Sequence, residues 1–390
     1  MKCLCLKKVK TKRKHLGCIF IVMCAFYLII YYNSKEVINF SVEIGREIVC
    51  KTFEASTLLS SNSDLDKAFK SPPVILETHF GLGNQLFQYA AAYSIARKRN
   101  SDLYICVEKA NVHLTKNAPI SMVFDPWDRT YGLGRFKIPH DKILIKPNKN
   151  TTCESLLSAS KHIPSFDATD EAVVKCEIPV DTIVKVNGYF ESEIFFHEYK
   201  EELLKMFVLN DEANIERETK EFLRQIRETE SVCVHVRKGD FDSGSGRRLP
   251  TSYYSEAMAL MDETLADLPN VQSNRTFFIF SDDIESVRKD FEGSIAMDKY
   301  RMVFVSNRKY SRYHDLFLMT RCRHSIMSNS TFSWWAAYLN RYKDKIVIAP
   351  LPKFKDTYNF WNHPYARLVK NLQHYWSYPS SYLVIQPKFA

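Results

Sequence analysis

The feature that most constrains the fold is a regular alternation of strand-like and helix-like runs in the second half of the chain. Strands are predicted at 231–236, 276–280, 302–305, 325–328 and 346–349, and helices between them at 252–265, 284–291, 311–321 and 330–340. This repeat predicts a parallel sheet with helices on both faces. Ligands of such sheets bind outside the carboxyl ends of the strands, so the residues that follow each strand are the functional candidates.

A second α/β unit precedes this repeat. Residues 74–80 resemble a strand, 81–84 a glycine turn, and 85–99 a helix with three successive alanines. Weaker strand candidates lie at 103–107 and 182–186. The length of 390 residues allows two domains. We therefore predict an N-terminal α/β domain over 73–228, a C-terminal α/β domain over 229–390, and a cleft between them.

The net charge of +9 is concentrated at the N-terminus. Seven basic residues precede position 15, without an acidic one: Lys2, Lys7, Lys8, Lys10, Lys12, Arg13 and Lys14. The remaining 47 basic residues are balanced by 45 acidic ones. The body is therefore nearly neutral, which argues against a nucleic-acid partner.

An uncharged apolar run at 16–32 follows the basic cluster and ends in tyrosines. Its length and flanks predict a single-pass signal anchor, with a cytosolic tail at 1–15 and the rest of the chain luminal. A cleaved signal peptide is the alternative, but no small-residue cleavage site follows the run. The polar segment 33–72 is predicted to be a stem.

Luminal exposure makes Asn39, Asn150 and Asn274 predicted glycosylation sites. Six luminal cysteines allow 15 pairings, among which we favour Cys153 with Cys176, because both lie in polar, loop-like sequence. Cys233 lies in a predicted buried strand and is interpreted as a small core residue. Cys50, in the stem, could join two copies in a homodimer.

His235 and Arg237 lie on one face at the end of the first strand of the C-terminal repeat. A buried guanidinium needs a carboxylate or a ligand anion as its partner. The sequence leaves both alternatives open, with Asp240 as the internal partner.

Two later strand ends also carry polar residues. Asp282 and Asp283 could accept hydrogen bonds from a guanine edge, or could simply cap the next helix. The segment 328–333 brings four hydroxyl groups and an amide to a strand-to-helix junction, where a helix N-terminus can bind an anion. Trp334 and Trp335 are predicted to be core residues.

Four runs in this order closely resemble the motifs of the alpha-1,2-fucosyltransferases of glycosyltransferase family 11: GLGNQLFQYAAA at 81–92, HVRKGDF at 235–241, FSDD at 280–283, and RCRHSIMSNSTFSWWAAYL at 321–339. The resemblance covers about 74–350. It implies a GT-B-like fold with two Rossmann-like halves, the donor in the C-terminal half and the acceptor on the N-terminal side. It also implies a type II Golgi membrane protein, which agrees with the anchor argument.

The resemblance implies a role for each matching residue. Arg237 would bind the GDP diphosphate with His235 beside it, Asp282 or Asp283 would read guanine, and Asn84 would reach the donor across the cleft. The predicted donor site also includes Gly83, Lys238, Ser328, Ser330 and Thr331. The sequence departs from the family pattern at Lys238, which stands where a second arginine is usual, at Phe241, which replaces a tyrosine, and at Ala336, which replaces a glycine.

The implied reaction moves L-fucose from GDP-beta-L-fucose, with inversion, to the 2-hydroxyl of a beta-galactoside on a glycoprotein or glycolipid. Arg237 would stabilise the leaving diphosphate, so no metal or other cofactor would be required. The alternative is a Mg or Mn site at Asp240 and Asp242. Asp240 is the predicted general base, with Asp242 next and an orienting role toward Arg237 as the alternative.

A membrane-tethered sugar-binding or adhesion protein without catalysis is the second functional hypothesis. Asn329 fits the glycosylation pattern, but a glycan there would block the anion site, so we expect it to be unmodified.

Overall fold

The computed structural model describes a little over half of the chain. The described residues are 71–108, 131–139, 141–147, 150–157, 163–174, 177–209, 217–239, 247–269, 274–294, 299–306, 312–351 and 378–388. The predicted tail, anchor and most of the stem, together with Asn39 and Cys50, lie outside these ranges. Within the described ranges, no helix combines the length and the apolar composition that a membrane crossing requires.

The first sheet has five parallel strands in the order β3-β2-β1-β5-β4. Its strands are β1 Ser71–Glu77, β2 Ser101–Glu108, β3 Ile143–Lys146, β4 Ser165–Ala168 and β5 Ile183–Val186. Helix α1, Leu82–Lys98, connects β1 to β2, and the short helix α2, Asp170–Val174, connects β4 to β5. The chain order reverses beside β1, so the carboxyl ends of β1 and β5 flank a crevice of the kind that binds ligands in open parallel sheets.

The second sheet has six parallel strands in the order β11-β10-β9-β6-β7-β8. Its strands are β6 Glu230–Val236, β7 Arg275–Ser281, β8 Met302–Phe304, β9 His324–Ile326, β10 Val347–Pro350 and β11 Leu383–Ile385. The order reverses beside β6, so the carboxyl ends of β6 and β9 flank the corresponding crevice. Every residue of β6 is buried, as expected for a central strand covered on both faces.

Helices connect the strands of the second sheet in turn. After α3, Lys200–Met206, and α4, Arg217–Glu228, the connecting helices are α5 Thr251–Ala266, α6 Ile284–Ser294, α7 Arg312–Met319 and α8 Thr331–Leu339. The prediction of an α/β fold with parallel sheets is confirmed. The five strands predicted between 231 and 349 and the helices between them are present, and their ends differ from the predicted ones by at most three residues.

The predicted boundary between the two domains, at residues 228 and 229, lies between the two sheets, since α4 ends at Glu228 and β6 begins at Glu230. Both sheets nevertheless belong to one compact unit, which comprises residues 70–173 and 177–390. Within this unit, the ring of Phe87 on α1 lies 4.6 Å from that of Trp334 and 4.9 Å from that of Trp335. Both tryptophans are buried, which confirms their interpretation as core residues. Helices α1 and α8 are thus packed together by aromatic side chains.

The predicted disulfide between Cys153 and Cys176 is wrong, because Cys153 is bonded to Cys106. Cys106 lies on β2, and Cys153 packs with it and with Ile75 and Ile183 in a small apolar cluster against the first sheet. The pairing joins residues 47 positions apart that only the sheet brings together, whereas loop-like sequence favoured the wrong partner. Cys176 lies outside the described residues. Cys233 is buried in β6 with a free thiol, which confirms its interpretation as a core residue.

Candidate active site

Arg237 directly follows β6, one of the two strands that flank the crevice between β6 and β9. Its Nη1 atom is 2.8 Å from Oδ2 of Asp282, the residue that follows β7. Strands β6 and β7 are neighbours in register, with Val236 opposite Ser281, so the two side chains emerge side by side. Asp282 is therefore the carboxylate that orients the guanidinium in the described structure. Asp240, the internal partner considered from the sequence, lies outside the described residues.

The turn that follows Arg237 is built around the Asp282 carboxylate. The backbone N–H of Lys238 donates a hydrogen bond of 2.8 Å to Oδ1 of Asp282. A Cβ at Gly239 would lie 2.3 Å from Oδ2 of the same carboxylate, so only glycine leaves space for it. The run HVRKGD thus requires its glycine for a close approach that the sequence alone does not show.

Lys238 and Asp283, the two other charged residues at these strand ends, form contacts within the protein. The buried ammonium of Lys238 pairs with Asp290 on α6, which also accepts a hydrogen bond of 2.7 Å from Nη2 of Arg248. This contact directs the Lys238 side chain toward α6. Lys238 therefore contributes to the site through its backbone. The Asp283 carboxylate accepts a bond of 3.4 Å from the Ser286 N–H at the start of α6, which is the helix-capping alternative.

His235 is buried beside Arg237, and its charge state is decided by that position. Burial, and next the positive charge of Arg237, lower the pKa of the His235 imidazole to about 3. The ring is therefore neutral at physiological pH. Its Nδ1 atom shares a hydrogen bond of 2.9 Å with Oγ of Ser328, and its ring lies 5.6 Å from that of Phe332. The imidazole thus links the end of β6 to the segment that follows β9.

The segment between β9 and α8 forms a capped helix N-terminus. Ser330 caps α8 by accepting a bond of 3.3 Å from the Phe332 N–H, and the Ser328 N–H donates a bond of 3.1 Å to Oγ of Ser333. Asn329 is buried, and its Nδ2 donates a bond of 2.6 Å to the Arg247 carbonyl. A buried side-chain nitrogen in such a contact leaves no space for a glycan, which agrees with the expectation for this residue. The hydroxyl groups at 328, 330 and 333 hold the helix end in place and leave its positive end facing the crevice.

The N-terminal glycine turn contacts this same helix end. Thr331 donates a hydrogen bond of 2.5 Å to Oδ1 of Asn84. A Cβ at Gly83 would lie 2.5 Å from the backbone N of Phe332 and 2.6 Å from Oγ1 of Thr331. The N-termini of α1 and α8 thus meet in a close contact that only glycine permits. Five of the predicted residues, Gly83, Asn84, Ser328, Ser330 and Thr331, are brought together here although more than 240 positions of sequence separate the two groups.

A partly buried carboxylate behind Asp282 was not identified from the sequence. Asp315 on α7 accepts a hydrogen bond of 2.6 Å from Ser306, whose Oγ in turn accepts one of 2.9 Å from the Ser281 N–H. Burial, and to a smaller extent the charge of Asp282, raise the pKa of Asp315 to about 7. This chain of bonds holds the end of β7, from which Asp282 projects. In the sequence Asp315 is one acidic residue in a helical run, with no signal that distinguishes it from a surface residue.

The glycosylation candidates within the described residues lie at the surface. Asn150 and Asn274 are both exposed. The Asn274 amide donates a bond of 2.8 Å to the Glu228 carbonyl, so a glycan on its nitrogen would have to preserve that contact.

Among the described residues, no cluster of three or more His, Cys, Asp or Glu side chains could hold a metal ion, and Asp240 and Asp242 are not among them.

Taken together, these contacts define a class of protein. Two parallel α/β sheets place an oriented arginine, a neutral histidine and a capped helix N-terminus at one crevice, which is an arrangement for binding an anionic group such as a diphosphate. The model of glycosyl transferase family 11 matches residues 73–366. The chain belongs to glycosyl transferase family 11, so the predicted enzyme class, a glycosyltransferase of the fucosyltransferase family, is confirmed.

The chain is similar to proteins from both bacteria and mammals. An alpha-1,2-colitosyltransferase of Escherichia coli is 29% identical over 286 residues, which cover 70% of this chain and 90% of the relative. A galactoside alpha-(1,2)-fucosyltransferase 2 of Oryctolagus cuniculus is 27% identical over 267 residues, which cover 66% of this chain and 64% of the relative. Among solved structures, the fucosyltransferase NodZ from Bradyrhizobium is similar with a TM-score of 0.39 and 16% identity, covering 69% of this chain and 93% of NodZ.

Proposed function

We propose that this enzyme transfers L-fucose from GDP-beta-L-fucose to the 2-hydroxyl of a beta-galactoside, with inversion, to form an alpha-1,2 linkage. The ordered motifs at 81–92, 235–241, 280–283 and 321–339 support the fucosyl donor. Two of the relatives support the linkage, since one is an alpha-1,2-colitosyltransferase and the other is a galactoside alpha-(1,2)-fucosyltransferase. The acceptor is a glycan of a glycoprotein or glycolipid.

The observation that carries the proposal is the Arg237 guanidinium, held by Asp282 at the carboxyl end of β6. When the bond between fucose and the diphosphate breaks, negative charge grows on the leaving GDP. A guanidinium already held in place, together with the N-terminus of α8, stabilises that charge without reorganisation during the reaction. These interactions strengthen as the charge develops, so they lower the barrier rather than merely bind the donor.

The neutral state of His235 fits this role. A second positive charge beside Arg237 would have to be held in a buried position, which the lowered pKa of the imidazole avoids. The neutral ring can still exchange hydrogen bonds with Ser328 and with a ligand in the crevice. We therefore assign His235 to orienting the nucleotide rather than to proton transfer.

The Arg237 guanidinium and the N-terminus of α8 together supply positive charge for the diphosphate, so the proposal requires no metal or other cofactor. The competing hypothesis is a divalent cation bound by Asp240 and Asp242, in which case EDTA would abolish transfer and Mg or Mn would restore it. Asp240 remains the proposed general base for the acceptor hydroxyl, since it follows Arg237 by three residues. Asp240→Asn should then abolish turnover while GDP binding persists, and loss of both would instead indicate an orienting role.

Substitution of Arg237 tests the proposal directly. In the full-length protein, Arg237→Ala should weaken GDP binding by about 30-fold or more, because charge-assisted hydrogen bonds to the diphosphate are lost, and Arg237→Lys should recover only part of it. Isothermal titration with GDP measures the affinity, and release of fucose from labelled GDP-fucose measures turnover. Arg224→Ala, on the exposed face of α4, is the matched control. Unchanged GDP affinity in Arg237→Ala would refute the proposal.

We further propose that the enzyme is a single-pass type II protein of the Golgi membrane with its catalytic part in the lumen. The basic tail at 1–15 and the apolar run at 16–32 support this topology. Cys50 in the stem is the proposed contact of a homodimer. A reporter fused after residue 40 tests the anchor, since release of soluble reporter would indicate cleavage instead.

A further inference from the structure

A pair of exposed aromatic rings lies at the other crevice of the molecule, the one between β1 and β5. Phe80 follows β1 by three residues and Tyr189 follows β5 by three residues. Their ring centroids are 5.1 Å apart and their planes differ by only 17°, so the rings are stacked. Phe80 is 40% exposed and Tyr189 is 49% exposed. We call these two rings the aromatic platform.

Both loops that carry the platform are in an unfavourable backbone conformation. Phe80 has a φ of 67°, and Phe190, the neighbour of Tyr189, has a φ of 54°. This left-handed region disfavours residues with bulky side chains, and a glycine would occupy it without strain. Only one other non-glycine residue in the described part of the chain has a positive φ, and it is Asn100, a residue type that tolerates this conformation. Backbone strain that persists at a ligand crevice points to a function for the side chain it presents.

Buried polar side chains hold both loops from below. Gln88 on α1 accepts a hydrogen bond of 3.0 Å from the His79 N–H and donates one of 3.1 Å to the Gly188 carbonyl, so one side chain joins the two loops. Gln85 donates a bond of 2.8 Å to the Phe80 carbonyl. These bonds use the backbone groups beneath the platform and fix the positions of its rings.

Asp170 completes the support on the β5 side. Its two carboxylate oxygens accept bonds from the backbone N–H groups of Tyr189 and Phe190, at 3.0 and 2.9 Å. Phe190 itself is buried and packs edge-on against Phe195, with ring centroids 5.2 Å apart. The loop thus buries one ring as an anchor and leaves the adjacent ring of Tyr189 at the surface. A scattered exposed aromatic side chain needs no explanation, whereas two rings brought together and held in this way form a built surface.

The position of the platform connects it to the proposed transfer site. Phe80 precedes Asn84 by four residues, and Asn84 accepts the hydrogen bond from Thr331 at the N-terminus of α8. The platform is therefore continuous with the chain segment that touches the donor crevice. A bound sugar ring on the platform would lie beside that segment.

We propose that the aromatic platform of Phe80 and Tyr189 binds the pyranose ring of the acceptor glycan, an inference that rests on the proposed function. A pyranose is neutral, so charged residues offer it little, and one of its faces carries C–H groups whose weakly positive hydrogens suit the negative face of an aromatic ring. In a beta-galactoside, the hydrogens on C3, C4 and C5 lie on one such face. Stacking on that face leaves the hydroxyl groups at the ring edge available for reaction and for hydrogen bonds.

Three variants of the full-length protein test this inference. Phe80→Gly removes one ring and at the same time fits the φ of 67°, so its thermal stability should equal or exceed that of the wild type. Tyr189→Ala removes the other ring, and Tyr189→Phe keeps it. Tyr342→Ala, at an aromatic side chain that is also 40% exposed, is the matched control outside the platform.

We expect KM for methyl beta-D-galactopyranoside to rise about three- to tenfold in Phe80→Gly and in Tyr189→Ala. Tyr189→Phe and Tyr342→Ala should leave it within twofold, and hydrolysis of GDP-fucose by water should be unchanged in all four variants. A rise in KM for GDP-fucose with an unchanged galactoside KM would overturn the inference, because the platform would then bind the nucleotide. Unchanged constants for both substrates would also overturn it, and would favour a protein partner on this surface.

A binding measurement separates this inference from the proposed function. Saturation-transfer NMR with methyl beta-D-galactopyranoside needs no turnover. The wild type should transfer saturation to the C3, C4 and C5 hydrogens, and Phe80→Gly and Tyr189→Ala should lose the effect. If the wild type binds the galactoside in this way but turns over no GDP-fucose, the proposed function fails and the platform stands. Equal saturation transfer in the wild type and in both platform variants would refute the platform whatever the enzyme's activity.

Discussion

Replacement of Gly83 by alanine tests the contact that joins the two helix N-termini at the candidate active site. The added Cβ would lie 2.5 Å from the backbone N of Phe332 and from the backbone C of Thr331. An ordinary contact begins near 3.4 Å, so α1 and α8 would have to separate by about 0.9 Å. Neither atom belongs to a flexible side chain, so the strain cannot be relieved by a change of rotamer.

The expected cost of Gly83→Ala has two parts. Overpacking of a close contact costs about 1–3 kcal/mol, and loss of the hydrogen bond between Thr331 and Asn84 adds about 1 kcal/mol. We therefore expect the free energy of unfolding to fall by about 2–4 kcal/mol. Because a displacement of about 1 Å at a reacting centre can reduce turnover about 100-fold, kcat/KM for GDP-fucose should fall by a similar factor.

Gly81→Ala is the matched control in the same turn. A Cβ at Gly81 meets no atom within 4 Å, and the φ of −71° is compatible with alanine. Its cost as the residue before α1 should stay below about 1 kcal/mol, with little change in activity. Chemical denaturation and steady-state kinetics measure both variants. If Gly83→Ala matches Gly81→Ala in stability and in kcat/KM, the close contact is not what positions α8.

Two further predictions concern the pH dependence of stability and the disulfide. Since the pKa of His235 is about 3 in the folded protein and near 6.5 when unfolded, the unfolded state takes up the proton first, so stability falls as pH drops through this window. Relative to His235→Gln, wild type should lose about 2 kcal/mol between pH 7 and pH 5 in urea titrations, and parallel losses in both proteins would contradict the assignment. Cys106→Ser should lower stability by about 2–5 kcal/mol under oxidising conditions, with no further loss in the double variant with Cys153→Ser. Non-reduced peptide mapping should find Cys106 joined to Cys153, and a peptide joining Cys153 to Cys176 would contradict the structure.

The elements of the second sheet could be predicted because each is a local pattern. The run at 231–236 has a β-branched valine at every second position, and the turn residues that follow it end the strand, so its position follows from neighbouring residues alone. Strands β3, β4 and β11 were not predicted; each has only three or four residues, and none is fully buried. Such short strands are stabilised by pairing with a neighbouring strand, which sequence periodicity does not record.

The residue types of the candidate site could be predicted, but their partners could not. Strand-end reasoning found Arg237, His235 and the hydroxyl-rich segment before α8. The partner of Arg237 is Asp282, 45 positions away, and that of Cys153 is Cys106, because parallel pairing brings distant strand ends to one edge. Asp315 gave no signal, because its raised pKa comes from burial and from the charge of Asp282, both of which depend on the folded structure.

The sequence by itself determined which residues are available at each strand end, and through its ordered motifs it determined the family. Only the tertiary structure decided which of them act together. It directed Lys238 toward Asp290, paired Arg237 with Asp282, and brought Asn84 to Thr331 and Phe80 to Tyr189. The physical reason is that strand periodicity and helix capping depend on adjacent residues, whereas strand order and the close approach of helices place residues together irrespective of their separation in the chain.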